Sequence, residues 1–370
     1  MTLLSSLFFA FLIIASIQAA FYVLIFRKFA FYKQRKRPQI TPPVSVLVCA
    51  KNEAGNLKAF IPYLANQDYP NFEIVLINDA SKDNSLEVME QLAEKFSNIK
   101  IVDVENNEAF WANKKYALTL GIKAAKYDHL VFTDADCKPV SNRWLQDMVN
   151  NFSNQKTIVL GYGAYDKIKH SLLNKLIRFE TLFTAIQYFS YAEAGLPYMG
   201  VGRNLAYRKD VFFKANGFVK HMDMRSGDDD LFINQIANTS NTACCYTPYS
   251  FTKSLPKTTF KAWFRQKRRH IATAKRYKPL HKLLLASFYI SQVLFWLFGI
   301  LLIAFQFRLY WVVAIAIILI FIKYLMVGRS AKKLNENDLI VIYPLLEIFL
   351  ILLQFSIFIA NLISKPNHWK

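Results

Sequence analysis

An α/β fold is predicted, a mostly parallel sheet with helices on both faces, carried by one N-terminal and about three C-terminal transmembrane helices. Three observations predict it. Buried-type strands and amphipathic helices alternate from Val44 to Thr133. Each strand runs into a polar turn. Hydrophobic residues make up 54% of the 370, and much of that excess lies in four blocks outside this region. Strands joined through helices cannot form tight hairpins and so pair in parallel.

Leu3 to Phe26 holds no charged residue and is long enough to cross a bilayer. Met1-Thr2 supplies no positive n-region, and the apolar run is long for the core of a cleaved leader, so residues 1–28 are expected to be a signal anchor. The basic cluster Arg27, Lys28, Lys33, Arg35, Lys36 and Arg37 follows the run. Basic flanks stay cytoplasmic, which puts the N-terminus outside and the next domain inside. That domain is expected over residues 41–278.

Within it, "VSVLVCAKNE" (Val44 to Glu53) reads as a strand and polar turn, followed by a helix from about Ala54 to Asn66. "FEIVLINDASKDNS" repeats the pattern, with a strand at Phe72–Ile77, a turn at Asn78-Asp79 and a helix from about Asp83 to Phe96. A strand at Ile99–Val102, a helix around Asn113–Ala125 and a strand at Leu130–Thr133 complete the series. In parallel sheets ligands sit beyond the carboxyl ends of the strands. Glu53, Asp79, Asp134 and Asp136 are therefore expected to converge on one edge.

The C-terminal membrane region is expected over residues 283–363, in blocks at about Leu283–Phe305, Leu309–Val327 and Leu339–Ile363. Basic residues from Lys261 to Lys282 and in "GRSAKKLNEND" (Gly328 to Asp338) agree with a cytoplasmic domain. Whether the last block crosses fully or begins as a surface helix is open at this stage. Glu347 lies within it, and an intramembrane acid marks either a site or a hydrogen bond to a neighbouring helix. The latter is the expected use here. The apolar segment Ser171 to Tyr198 reads as a core helix or a membrane-interface helix, with the interface favoured.

The formal charge of +20, set beside apolar spans, points to anionic lipid headgroups. No basic helix repeat or RNA-binding motif supports a nucleic-acid partner. Cys49, Cys137, Cys244 and Cys245 show no metal or redox spacing and are expected as thiols in a reducing compartment.

No G-x-G-x-x-G follows the first strand, and there is no P-loop. A diphosphate can instead be held by a divalent cation between carboxylates and phosphate oxygens, and hard oxygen ligands suit Mg²⁺ or Mn²⁺. "TDADC" supplies Asp134 and Asp136 at a strand end. "SGDDDL" places Asp228, Asp229 and Asp230 before a helix; one acid suffices as a cap, and crowded carboxylates raise one another's pKa, as a general base near neutral pH requires. "WFRQKRRHIA" sets Gln266 and Arg269 on one helix face, where an Arg can grip phosphate bidentately.

Taken together, these motifs resemble the family 2 glycosyltransferases, in the membrane-bound branch that includes cellulose, chitin and hyaluronan synthases and ceramide glucosyltransferase. The resemblance covers about Pro43 to Tyr277 and the flanking spans, and it implies a GT-A fold. "CAKNE" and "INDASKD" resemble nucleotide-binding strand ends, implying Glu53 on the ribose side and Asp79 at the base. "ANKKYAL" resembles G-K-x-x-A-L, implying Lys114 near the nucleotide, with Asn113 in place of Gly. The D-x-D implies Asp136 as direct metal ligand and Asp134 as its partner. "SGDDDL" resembles T-E-D-x-D-L, which makes Asp228 the implied base; Gly227 stands where Glu is usual, leaving Asp229 as a substitute. "QKRRH" resembles Q-x-x-R-W through Gln266 and Arg269, with His270 in place of the Trp that lies beneath the acceptor sugar. "GVGRNLAYRKD" (Gly200 to Asp210) resembles the segment lining the acceptor's approach.

The activity implied is inverting transfer from a nucleotide diphospho-sugar, with UDP the expected carrier, to a membrane-associated lipid-linked or glycan acceptor. Mg²⁺ or Mn²⁺ is the implied cofactor, and a bacterial inner membrane the expected location. The alternatives are a processive polysaccharide synthase, with a homo-oligomer or export partner, and a non-catalytic nucleotide-sugar-binding subunit. A transporter would need a paired inverted repeat, which is not seen. A dolichyl-phosphate-mannose-type synthase usually lacks Q-x-x-R.

Overall fold

The computed structural model describes residues 2–33, 37–105, 114–224 and 226–364. Arg35, Lys36 and Asn113, singled out above, lie outside the described residues.

The first helix runs unbroken over Leu3–Ala30, as α1 (Leu3–Ala20), a π-helical turn (Phe21–Phe26) and α2 (Arg27–Ala30). Thr2 caps it, Oγ1 accepting from Ser5 N at 3.3 Å. Then β1 (Val44–Ala50), α3 (Ala54–Ala65), β2 (Phe72–Asp79), α4 (Ser85–Lys95), β3 (Ile99–Val104), α5 (Lys114–Ala124) and β4 (His129–Asp134) follow in strict alternation. Asn78 and Asp79, expected in a turn, are the last residues of β2, because β2 continues its ladder to Asp103 and Val104 of β3.

The second half is built from shorter pieces: β5 (Cys137–Pro139), α6 (Trp144–Val149), β6 (Ile158–Leu160), β7 (Gly163–Tyr165), α7 (Leu172–Glu193), β8 (Leu205–Arg208) and α8 (Lys209–Lys214). Next come α9 (Asp230–Ile236), β9 (Thr242–Cys244), β10 (Thr252–Ser254) and α10 (Phe260–Ile271). The helical part ends with α11 (Pro279–Ala304), α12 (Leu309–Lys333) and α13 (Tyr343–Ile363).

The main sheet has the order β3-β2-β1-β4-β8-β6-β9, in which β8 alone runs against the rest. Alternate side chains of β1 enter opposite cores. Val44, Val46 and Val48 pack with α3, α4 and α6, while Leu47 faces the side of α5 and α7. A small sheet, β5-β10-β7, stands beside the main one.

α7 is a core helix, which corrects the interface reading. Its Ile177, Phe179, Leu182, Phe183, Ile186 and Phe189 are all buried. The sheet covers one side of it, and α2, α12 and α13 cover the other; a helix apolar all round finds its place between two layers. Phe183 meets Phe26 and Phe288 at ring distances of 6.1 and 5.9 Å, joining the domain to the helical part. A charged seam reinforces the joint. Arg178 of α7 binds Glu336 and grips Asp338 through Nη1 and Nη2 at 2.9 and 2.6 Å.

Among the described residues, four helices are long and apolar enough to cross a membrane, one N-terminal and three C-terminal. Sequence reading passed over Lys323 inside the third block. It is fully buried, and Nζ lies 2.7 Å from Glu347, whose carboxylate also accepts from Gln292 Nε2 at 2.8 Å. The expected interhelical hydrogen bond of Glu347 is thus a buried, doubly bonded ion pair.

Candidate functional site

The carboxyl ends of β1, β2 and β4 lie side by side, with Ala50 opposite Asn78 and Cys49 opposite Asp134. The first two strand ends are laced together. Asn52 takes φ 56°, a left-handed conformation that Asn adopts more readily than most residues. Its N–H donates to Ser81 Oγ at 3.0 Å, and its Oδ1 accepts from Lys82 N at 2.8 Å. Glu53 N donates to Ser85 Oγ at 2.8 Å, and the Glu53 carboxylate accepts from Asn56 at 2.6 Å. Asp79 is buried, with Lys51 Nζ 3.6 Å away.

The D-x-D lies where the chain changes sheets. β4 ends at Asp134, and β5 begins at Cys137 in the small sheet. Asp134 keeps its side chain 32% exposed. Burial and then Asp134 push the Asp136 carboxyl above its ordinary value, which Arg203 partly offsets. Arg203 lies within the Gly200 to Asp210 segment noted above, but its own role was not read from the sequence. Thr133 and Thr252 bond its carbonyl at 3.0 and 2.9 Å, and its guanidinium reaches Ser254 Oγ at 3.0 Å and lies 4.4 Å over the Tyr165 ring.

Lys114 is the hub. Its Nζ is 2.8 Å from Asp134 Oδ1 and 3.0 Å from Asp228 Oδ2, so one ammonium bridges the D-x-D and the acid triplet. Burial works against that charge, but Asp134 and Asp228 outweigh it and hold its pKa well above the ordinary lysine value. The adjacent Lys115 is buried and caps the loop before the acids, donating to His221 O at 2.6 Å and Met224 O at 3.0 Å.

The three acids have separate tasks. Burial alone would raise Asp228; Lys114 and a backbone donor reverse this and hold it below the ordinary carboxylate value. Asp229 caps α9, accepting from Asp230 N and from Gly202 N, both at 2.7 Å. Burial, then Asp228 and Asp230, push it up to about 7. Asp230 is structural, bonded by Thr273 and, at 2.7 Å, by Tyr277. Burial, with neighbouring acids adding to it, therefore raises two of the acids, and Lys114 exempts the third.

Gly227 has a backbone reason. Its φ is +94°, and an added Cβ would come within 2.5 Å of Leu231 Cδ1. Gly227→Ala should destabilise the fold by about 1–3 kcal/mol and displace the acids. A lowered melting temperature with reduced donor binding, read by thermal shift with and without nucleotide sugar, checks this.

Arg269 of α10 lies near enough to Asp228, Asp134 and Asp229 for those acids to oppose the lowering that burial imposes on it. Gln266, on the same face, has a buried Oε1 without a hydrogen-bond partner. His270 is exposed, its carbonyl accepting from Thr273 Oγ1 at 2.7 Å. The structure thus brings Asp134, Lys114, Asp228 and Asp229 around one pocket, whose wall also includes Cys49, Gly202 and Tyr207.

Among the described residues, no three His, Cys, Asp or Glu side chains are grouped as a ready-made metal centre. A D-x-D whose second acid is raised by burial and by Asp134, and only partly offset by Arg203, nonetheless fits a hard divalent ion completed by ligand oxygens.

A cholesterol galactosyltransferase from Borreliella burgdorferi is 37% identical over 93 residues, 25% of each chain. A 4,4'-diaponeurosporenoate glycosyltransferase from Staphylococcus haemolyticus is 28% identical over 125 residues, 34% of this chain and 32% of that one. The chain spans a third or less of the length of these relatives. A mannosyltransferase from Pyrobaculum calidifontis, solved in complex with GDP-Man and Mn²⁺, has a TM-score of 0.60 at 18% identity, over 94% of this chain and 99% of that one. Likeness at that identity shows the fold, which is GT-A. The profile of glycosyl transferase family 21 matches residues 7–370, in keeping with the resemblance to membrane-bound glycosyltransferases, and the chain belongs to that family.

Proposed function

We propose that the protein transfers a sugar, with inversion, from a nucleotide diphospho-sugar to a hydroxyl of a membrane-held acceptor, its domain facing the cytosol of a bacterial cell. The observation that carries this is the Lys114 bridge, which joins a D-x-D to an acid held as carboxylate. Asp228 accepts the proton of the attacking hydroxyl. Lys114 balances Asp134 and Asp228 in the free protein, and an incoming diphosphate competes for its ammonium, releasing Asp228 to act. Arg269, beside the same acids, offsets charge that develops on the leaving diphosphate. Glu53 and Asp79, at the ends of β1 and β2, are assigned to the ribose and base, and Gln266 and His270 to the donor–acceptor side. Asp136, with Asp134, would hold Mg²⁺ or Mn²⁺, which when bound supplies electrostatic stabilisation of the diphosphate.

The product is proposed to be a short lipid-linked glycan or glycolipid. Phe8, Phe11, Phe295, Leu302, Val312 and Leu319 fill the space between α1, α11 and α12, and Phe11 stacks on Phe295 at 5.4 Å. That packing supports a solid bundle and not a conduit. The similar stretch in a cholesterol galactosyltransferase supports a lipid acceptor. Purified protein should be reconstituted in vesicles, offered a panel of nucleotide sugars, and its products sized. Short glycolipid with released nucleotide is expected, whereas long glycan on the far side of the membrane would identify a processive synthase.

A further inference from the structure

Both ends of the last apolar block are fastened to the catalytic domain. At its start, Glu336 and Asp338 are held by Arg178 of α7, and Lys167 binds Asp338 at 2.8 Å. At its end, Arg268 of α10 donates through Nε to Asn361 Oδ1 at 2.9 Å and through Nη2 to Ala360 O at 2.7 Å and to Ser364. Asn361 Nδ2 returns a bond to Arg268 O at 3.1 Å. α10 also carries Gln266 and Arg269, and Arg178 and Lys167 belong to the catalytic domain, so both fastenings are on the domain's side.

The path between them agrees. The chain first runs back along α12, with Ile340 beside Gly328, Tyr343 5.2 Å from Tyr324, and Glu347 on Lys323. It then leaves α12 and follows α10, with Phe349 stacked 6.2 Å from Trp263 and Asn361 at Arg268. The 21 residues of α13 are about 30 Å long, enough to reach the opposite face of a bilayer. Yet among the described residues the distal core is made by α1, α11 and α12, and the buried residues of α13 belong to the core shared with the domain.

We infer that α13 does not cross the membrane but lies within the near leaflet as a re-entrant helix, its end on the domain's side. Its outward stripe, Leu345, Ile348, Leu352, Phe355, Ile359 and Leu362, is exposed at i, i+3, i+4 spacing. Acyl chains of that leaflet cover this stripe, and anionic headgroups meet the exposed Lys261 and Arg265 of the adjoining α10. α13 thereby holds the helix bearing Gln266 and Arg269 at the height of the headgroups.

The test is cysteine labelling of the full chain in sealed, oriented vesicles with a membrane-impermeant maleimide, taking the parent chain as background. Ser364→Cys should label from the same face as Lys169→Cys of the domain and from the opposite face to Tyr310→Cys, which lies just after the α11–α12 turn. Labelling of Ser364→Cys together with Tyr310→Cys would show that α13 crosses and would overturn the inference. The opposite behaviour of the Lys169 and Tyr310 variants certifies correct insertion. A nitroxide at Leu352→Cys should be relaxed by oxygen far more than by a water-soluble nickel chelate. Protection from both would mean that protein covers the stripe, and the lipid assignment would fall.

Discussion

Asp228→Asn should lower sugar transfer by about 10²- to 10⁴-fold while leaving nucleotide-sugar affinity nearly unchanged, because a general base acts only in the transition state. Asn keeps the shape and removes the proton acceptor. Lys114 retains Asp134 as a partner, at 2.8 Å, so the donor side should persist. The pH profile separates Asp228 from its neighbour. A carboxyl held below its ordinary value stays ionised down to low pH, so a base at Asp228 gives no acid limb near neutrality. Asp229, pushed up to about 7, loses its charge as pH falls through that value and would give one. An acid limb of kcat/KM near pH 7 that vanishes in Asp229→Asn, with an active Asp228→Asn, would transfer the role to Asp229.

Asp136→Ala should abolish both the response to Mg²⁺ or Mn²⁺ and most of the nucleotide affinity. No glycine-rich cradle follows β1, whose turn is instead Lys51-Asn52-Glu53. In the proposed scheme diphosphate binding then rests on cations, namely Lys114, Arg269 and a metal at the D-x-D. Removing Asp136 also leaves the half-buried Arg203 with less opposing charge, so a thermal melt should accompany the binding titration. Conversely, full activity of the parent chain after exhaustive chelation would remove the metal from the scheme and leave Lys114 and Arg269 to carry the diphosphate.

The first half of the domain was legible because its strands are long apolar runs with a period switching cleanly to amphipathic helices. β1, β2, β3 and β4 fall within two residues of their expected ends. The second half was not, since β5, β6, β7, β9 and β10 have three residues each and depend on pairing with distant partners. The acids of the site could be read from their spacing. Arg203 could not, because its importance comes from threonines 70 and 49 positions away. Lys323 hid for the same reason, and Glu347, read as an interhelical hydrogen bond, showed its partner only once the helices were laid together. α7 misled because an apolar helix with aromatics has one composition for two environments, and only its neighbours distinguish them.

For the membrane-held acceptor proposed above, the seam between domain and helices has a consequence. Arg178 clamps Glu336 and Asp338, Lys333 Nζ bonds the carbonyls of Phe29 and Tyr32, and Phe29 stacks 5.1 Å from Phe189. Among the described residues these ties join the domain to the apolar helices at several points, and on the proposed reading they hold the pocket at a fixed altitude above the hydrocarbon. A hydroxyl can be glycosylated only if its own molecule lifts it to that altitude. The stem between lipid tail and hydroxyl then acts as a ruler: too short and the oxygen never arrives, too long and it overshoots Asp228. On the proposed reading, a product whose new hydroxyl stands one sugar higher would be out of register for a second round, so the same rigidity would set both which lipid is chosen and how many sugars it receives.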